Sequence, residues 1–154
     1  MLTENDVVDA VCEHLIQNGF TIQNQLTTRE RGIDIVALNP ATGAEILIEA
    51  KGETSSKGHT KRFGEPFHSA QVKVHVAEAF YKAVSLQSNA SGAQQSAMAF
   101  PDTILHRRYL EHIRPAVDML GIEVFLVNHN RIVRKWQGSV GESDGDSPRR
   151  SLHG

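Results

Sequence analysis

The chain has 154 residues, the size of one domain that buries about two thirds of its unfolded surface in a single core. Its 40 % hydrophobic and 22 % charged content is ordinary for a globular protein. A formal net charge of −2 with a pI near 6.4 argues against a protein that coats nucleic acid through its overall field. Cys12 stands alone, so neither an internal disulfide nor a cysteine zinc cluster can form. The start MLTENDVV has no basic or apolar signal core, and no apolar run approaches spanning length. The expectation is a soluble, cytoplasmic chain without a membrane partner.

Thr3 can cap a first helix whose apolar residues Val7, Val8, Val11, Cys12, Leu15 and Ile16 recur at helical spacing until Asn18-Gly19 ends it. Glu4 falls on that apolar side, in line with positions 8, 11 and 15, where an acid needs a reason. A capping-region carboxylate is the competing explanation. Phe20 to Gln25 alternates as a first strand.

The stretch RGIDIVALNPATGAEILIEAK, residues 31–51, reads as two apolar strands joined by the turn Asn39-Pro40-Ala41-Thr42-Gly43. Asp34 follows Gly32-Ile33 in one strand, and Glu49-Ala50-Lys51 ends the other. Charges in such runs are costly unless paired or metal-bound. A turn centred on Thr42 pairs Asp34 with about residue 50. A slip of one residue either way brings Glu49 or Lys51 opposite it. Two carboxylates and an ammonium then converge at one end of the sheet.

From Gly52 to Pro66 the chain is a polar loop. Between Lys51 and Lys73, five basic residues (Lys51, Lys57, Lys61, Arg62 and Lys73) face two acids, Glu53 and Glu65, which makes this the local candidate for phosphate contact. A second helix is predicted from about Phe67 to Gln87, with Val72, Val76, Phe80, Ala83 and Val84 buried and Gln71 near its start. Ser96 to Phe100 is a short strand closed by Pro101. Asp102 can cap a third helix, which Pro115 should kink or split. Ile122 to Val127 is a further strand, and Asn128-His129-Asn130 could turn it into a last one, Ile132 to Trp136. Residues 137–154 have the composition of a flexible tail, leaving a single domain over residues 1–136.

The predicted fold class is α/β: a central mixed sheet with an antiparallel hairpin, flanked by helices, in the order αβββαβαβ. With Asp34, Glu49 and Lys51 placed as above, residues 3 to 128 resemble the PD-(D/E)XK nuclease superfamily, the restriction-endonuclease-like fold. The layout is similar to that of Mrr-like endonucleases and archaeal Holliday-junction resolvases. The resemblance makes Asp34 the first motif acid, with Ile33 in place of the namesake proline, and makes Glu49 and Lys51 the (D/E)-x-K element. It implies that Asp34, Glu49 and the carbonyl of Ala50 bind Mg²⁺ or Mn²⁺, hard cations suited to oxygen ligands. Glu4 would add a ligand from the first helix. Gln71 resembles a glutamine that some members place after the third strand, and His75 stands where one subgroup has tyrosine.

The function so implied is Mg²⁺-dependent hydrolysis of DNA phosphodiester bonds, in restriction, repair or recombination, with RNA left open as a substrate and a homodimer as the assembly. The alternative is an inactive nucleic-acid-binding or assembly module that keeps the nuclease fold.

Overall fold

The computed structural model describes residues 1–27, 29–55 and 64–137. Lys57, Lys61, Arg62 and nearly all of the predicted tail lie outside the described residues. Among the described residues, three helices and six strands follow one another: α1 (Glu4–Gln17), β1 (Thr21–Gln25), β2 (Ile35–Leu38), β3 (Glu45–Ala50), α2 (Ser69–Ser88), β4 (Gln94–Pro101), α3 (Ile104–Leu120), β5 (Glu123–Val127) and β6 (Val133–Lys135). The strands form one sheet in sequence order. The first three are antiparallel neighbours, β3, β4 and β5 run parallel, and β6 returns antiparallel. This is the expected mixed α/β arrangement, and β6, which the order αβββαβαβ omits, lies within the last strand read from Ile132 to Trp136.

The strand alternation decides the layers. Ile35, Ala37, Ile46, Ile48, Ala50, Ala97, Ala99 and Phe125 face α1, which packs Val7, Val8, Val11 and Leu15 against them. Met98, Phe100, Val124 and Leu126 point the other way, to Val72, Val76, Ala79 and Ala83 of α2 and to Leu110 and Val117 of α3. Both faces of the central strands are thus covered, as parallel strands require. Among the described residues no helix is long and apolar enough to cross a membrane.

Local chemistry sets the ends. Thr3 and Asp6 form a reciprocal capping box at α1. The cap of α3 is Thr103, not Asp102: the Thr103 hydroxyl accepts from His106 N–H, while Asp102 pairs with Arg107 and Arg134. Pro115 does not split α3, which runs unbroken to Leu120. The carbonyl freed by its missing N–H belongs to exposed Glu111, where water can satisfy it. Cys12 is buried against the α1 core, and its thiol is pushed up to about 11 by that burial, the state of an inert apolar side chain.

Candidate active site

The register of β2 and β3 pairs Ile35 with Ile48, so one further step sets Asp34 opposite Glu49 rather than Lys51. Gly32, at φ 139°, turns the chain into that position in a conformation that side chains rarely adopt. Asp34 then replaces a rung of the ladder, its Oδ2 accepting the Ala50 N–H at 2.7 Å. Its own carbonyl accepts from Leu26 N–H at 2.8 Å. Asp34 is therefore held through both its carboxyl and its backbone at the end of the hairpin.

Asp34 and Glu49 lie within hydrogen-bonding reach of each other, an arrangement that favours one shared proton. Burial raises the pKa of both. The Asp34 charge raises that of Glu49 further, and Lys51 opposes the rise in each. Burial alone would lower the Lys51 ammonium, but Glu49, Glu4 and Glu78 outweigh it and hold the pKa above its ordinary value. The Lys51 Nζ sits 3.3 Å from Glu49 Oε1 and 3.7 Å from Glu78 Oε2.

Glu4 is brought to this cluster by the start of α1. A Cβ on Gly52 would stand 2.5 Å from Glu4 N and 2.7 Å from the Thr3 carbonyl carbon, so only glycine lets the helix end rest on the exit from β3. Leu2 and Glu53 tie the same segments together. Glu53 N–H donates to the Leu2 carbonyl at 2.9 Å, and Leu2 N–H donates to Glu53 Oε1 at 2.7 Å. The Glu4 carboxyl rises to about 7, through burial first and then through Asp34 and Glu49, with Lys51 opposing.

Two residues that the sequence reading did not single out complete the surroundings. On α2, Gln71, His75, Glu78 and Lys82 fall four, three and four positions apart, one polar stripe beside the apolar face of Val72, Val76, Ala79 and Ala83. Glu78 reaches Lys51, and the Lys82 charge favours ionised Asp34 and Glu49. That spacing was the available signal. The pKa of half-buried His75 is lowered by burial and then by the Lys51 charge, with Glu78 opposing.

The remaining expected residues are placed differently. Gln71 shares the stripe, but its Oε1 accepts from His68 N–H at 3.0 Å and so caps its own helix. Lys73 is on the other side of α2, along a groove bordered by Phe80, Tyr109 and His112. Among the described residues, no three His, Cys, Asp or Glu side chains converge in a ready-made metal cage. What converges is the Asp34–Glu49 pair, with Lys51 against it and Glu4 close enough to feel its charge.

No protein-family model matches the chain, and no curated protein matches it. Solved structures do. An XisH family protein from Nostoc punctiforme PCC 73102 superposes with a TM-score of 0.53 at 16 % identity, over 86 % of this chain and 97 % of that one. An FdxN element excision controlling factor protein from Anabaena variabilis gives 0.52 at 15 % identity, over 86 % and 96 %. A repair endonuclease from Pyrococcus abyssi is matched more loosely, with a TM-score of 0.42 at 16 % identity over 80 % of this chain and 46 % of that one. At such identities the likeness speaks to architecture alone: this chain has a mixed α/β fold of the restriction-endonuclease-like kind.

Proposed function

We propose that the protein is a PD-(D/E)XK-type nuclease that hydrolyses DNA phosphodiester bonds with a divalent cation. The observation that carries this reading is the meeting of Asp34, Glu49 and Lys51 at the end of β3, where two carboxyls share a partly dry position against an ammonium. The donor set fits Mg²⁺ or Mn²⁺: Asp34 and Glu49 supply hard oxygens, the Ala50 carbonyl lies between Glu49 and Lys51 in the chain, and Glu4 is a further carboxylate nearby. A cation held there would supply Lewis-acid charge beside the scissile phosphate.

The chain's own residues have distinct parts. The Ala50 N–H holds Asp34 in one orientation, so the acid needs no reorganisation. Lys51 stays charged and offers its ammonium to a phosphate oxygen or to the departing charge. Lys82 adds positive field to the same face.

Two observations favour the second reading, an inactive nucleic-acid-binding or assembly module. No three-residue metal cage is present among the described residues, and Lys51 is engaged by Glu49 and Glu78. A panel of labelled single-stranded, duplex and branched DNA, with RNA controls, separates the two when run with and without Mn²⁺. Metal-dependent cleavage that falls by roughly a thousandfold in Asp34→Ala supports the nuclease. Absence of cleavage, with salt-dependent binding that Asp34→Ala leaves unchanged, supports the module.

A further inference from the structure

Asp102, at the exit from β4, is one acid shared by two arginines. Arg107 Nε, near the start of α3, donates to its Oδ1 at 2.6 Å, and Arg134 Nε, on β6, donates to its Oδ2 at 3.2 Å. Only 11 % of the Asp102 side chain is exposed, against 48 % of Arg107 and 55 % of Arg134. One negative charge against two positive ones leaves the trio at a net positive charge, and the first turn of α3 holds no acid to offset it. Neutralising Asp102 takes one arginine, and exposed ion pairs add little to stability, so the second positive charge is left for a partner outside the chain.

Strand register puts this charge on the same face and at the same edge of the sheet as Asp34, Glu49 and Lys51. Glu49 pairs with Met98 and Arg134 with Leu126, and Met98 and Leu126 both belong to the core under α2 and α3. Lys51 N–H donates to the Ala99 carbonyl at 3.0 Å, and Asp102 follows shortly after Ala99, its own N–H on the Val127 carbonyl at 2.7 Å. At about 3.3 Å per residue, Asp102 is on the order of 10 Å past Lys51. A duplex covers that distance in about three base pairs, at about 3.4 Å each. A groove of about 230 Å³ joins the two neighbourhoods, lined by Glu53 and Phe67 after β3 and by Thr103 and His106 just before Arg107. Glu53, the acid in that groove, accepts from Leu2 N–H at 2.7 Å and lies 3.0 Å from His129 Nε2.

We propose that Arg107 and Arg134, held on Asp102, form a fork that grips one backbone phosphate of a DNA substrate about three nucleotides from the acids. The single net charge of the trio matches the single charge of a phosphodiester. The Nε contacts to Asp102 orient both guanidiniums in advance, and their planar donor sets suit phosphate oxygens. Both arginines are binding residues that position the strand. The choice of DNA as the partner rests on the nuclease reading.

The test is DNA binding by the full chain, read by anisotropy of fluorescein-labelled duplex and single-stranded DNA across a salt series, in chelator and in Ca²⁺. Wild type should bind, with log K falling linearly in log salt. Arg107→Gln and Arg134→Gln each leave Asp102 one partner. Each should weaken duplex binding by about threefold to tenfold and reduce the salt slope by about 0.9, the share of one phosphate. Because the arginines share that phosphate, the double variant should lose little further slope. Arg107→Lys keeps the charge and should keep the slope. Lys135→Gln is the control: Lys135 pairs with Phe125, whose side chain packs towards α1, so this cation lies on the opposite face and its loss should leave the slope unchanged.

An unchanged slope in folded Arg107→Gln and Arg134→Gln overturns the fork, as does an equal loss in Lys135→Gln. Wild type that binds neither DNA in either condition also overturns it. The nuclease reading is decided separately: if the arginine variants behave as expected but wild type cuts nothing with Mn²⁺, the fork stands and that reading fails. Cleavage with binding that ignores both arginines leaves the reading and sinks the fork.

Discussion

Glu4→Gln should stabilise the metal-free protein at alkaline pH, because it removes a carboxylate held among others. The Glu4 pKa is raised from 4.5 to about 7. Between those values the folded state holds a proton that the unfolded chain has released. Its stabilising contribution is therefore complete below about 4.5 and is lost as pH rises through about 7. At somewhat over about 1 kcal/mol per pH unit the ceiling is roughly 3 kcal/mol, and screening at this half-buried position reduces it to about 1–2 kcal/mol. Urea unfolding at several pH values in chelator should show wild-type stability falling from pH 5 to pH 8. Glu4→Gln should lose part of that slope and be more stable than wild type at pH 8 by about 1–2 kcal/mol. Asp34 and Glu49, raised in the same direction, leave a residual slope in the variant. An equal or lower stability of Glu4→Gln at pH 8 would refute the placement of Glu4 among these acids.

Asp34→Asn should keep the fold and raise metal-free stability at neutral pH by about 1 kcal/mol, since its amide oxygen still accepts the Ala50 N–H while the like charge beside Glu49 is gone. Asp34→Ala should be less stable than Asp34→Asn by about 1–3 kcal/mol, the cost of leaving that buried N–H unpaired, as read by chemical denaturation. Gly52→Ala should cost about 2–3 kcal/mol, because the new Cβ would meet backbone at Glu4 and Thr3 that cannot step aside without moving α1. Glu78→Gln should change stability by less than about 0.5 kcal/mol, since its 3.7 Å pair with Lys51 is made by a side chain 59 % exposed.

The hairpin could be read from sequence because two apolar runs and a turn leave only a few registers, and the charges mark the strand end. Choosing Glu49 over Lys51 as the partner of Asp34 took the Asn39–Ala44 turn geometry, which closes with Gly43 N–H on the Asn39 carbonyl. Glu4 could be read from its place on an apolar stripe. Glu78 and Lys82 were harder to read, since charged positions on an amphipathic helix ordinarily face water, and Glu78 stays largely exposed even where the packing of α2 over β3 brings it to Lys51. Gly52 carried no local sign of its role, because a close backbone approach from Thr3 and Glu4, far away in the chain, leaves no periodicity. Pro115 left a kink or a split open, and α3 is not split, since exposed Glu111 lets water satisfy the carbonyl that the proline leaves without a donor.

The acids meet because contacts outside the cluster hold them there. Leu2 is bound to Glu53 by two hydrogen bonds, and the Thr3–Asp6 box fixes the first turn of α1. Ile35 and Ile48 are fully buried on the opposite face from Glu49. None of these contacts involves a titrating group of the cluster, so neutralising Glu4 or Asp34 relieves repulsion without loosening the frame. A site whose own charges held it together would lose order in the same substitutions. The two cases differ in sign: gains in metal-free stability for Glu4→Gln and Asp34→Asn mark a frame that enforces the repulsion, and losses mark a site that supports itself.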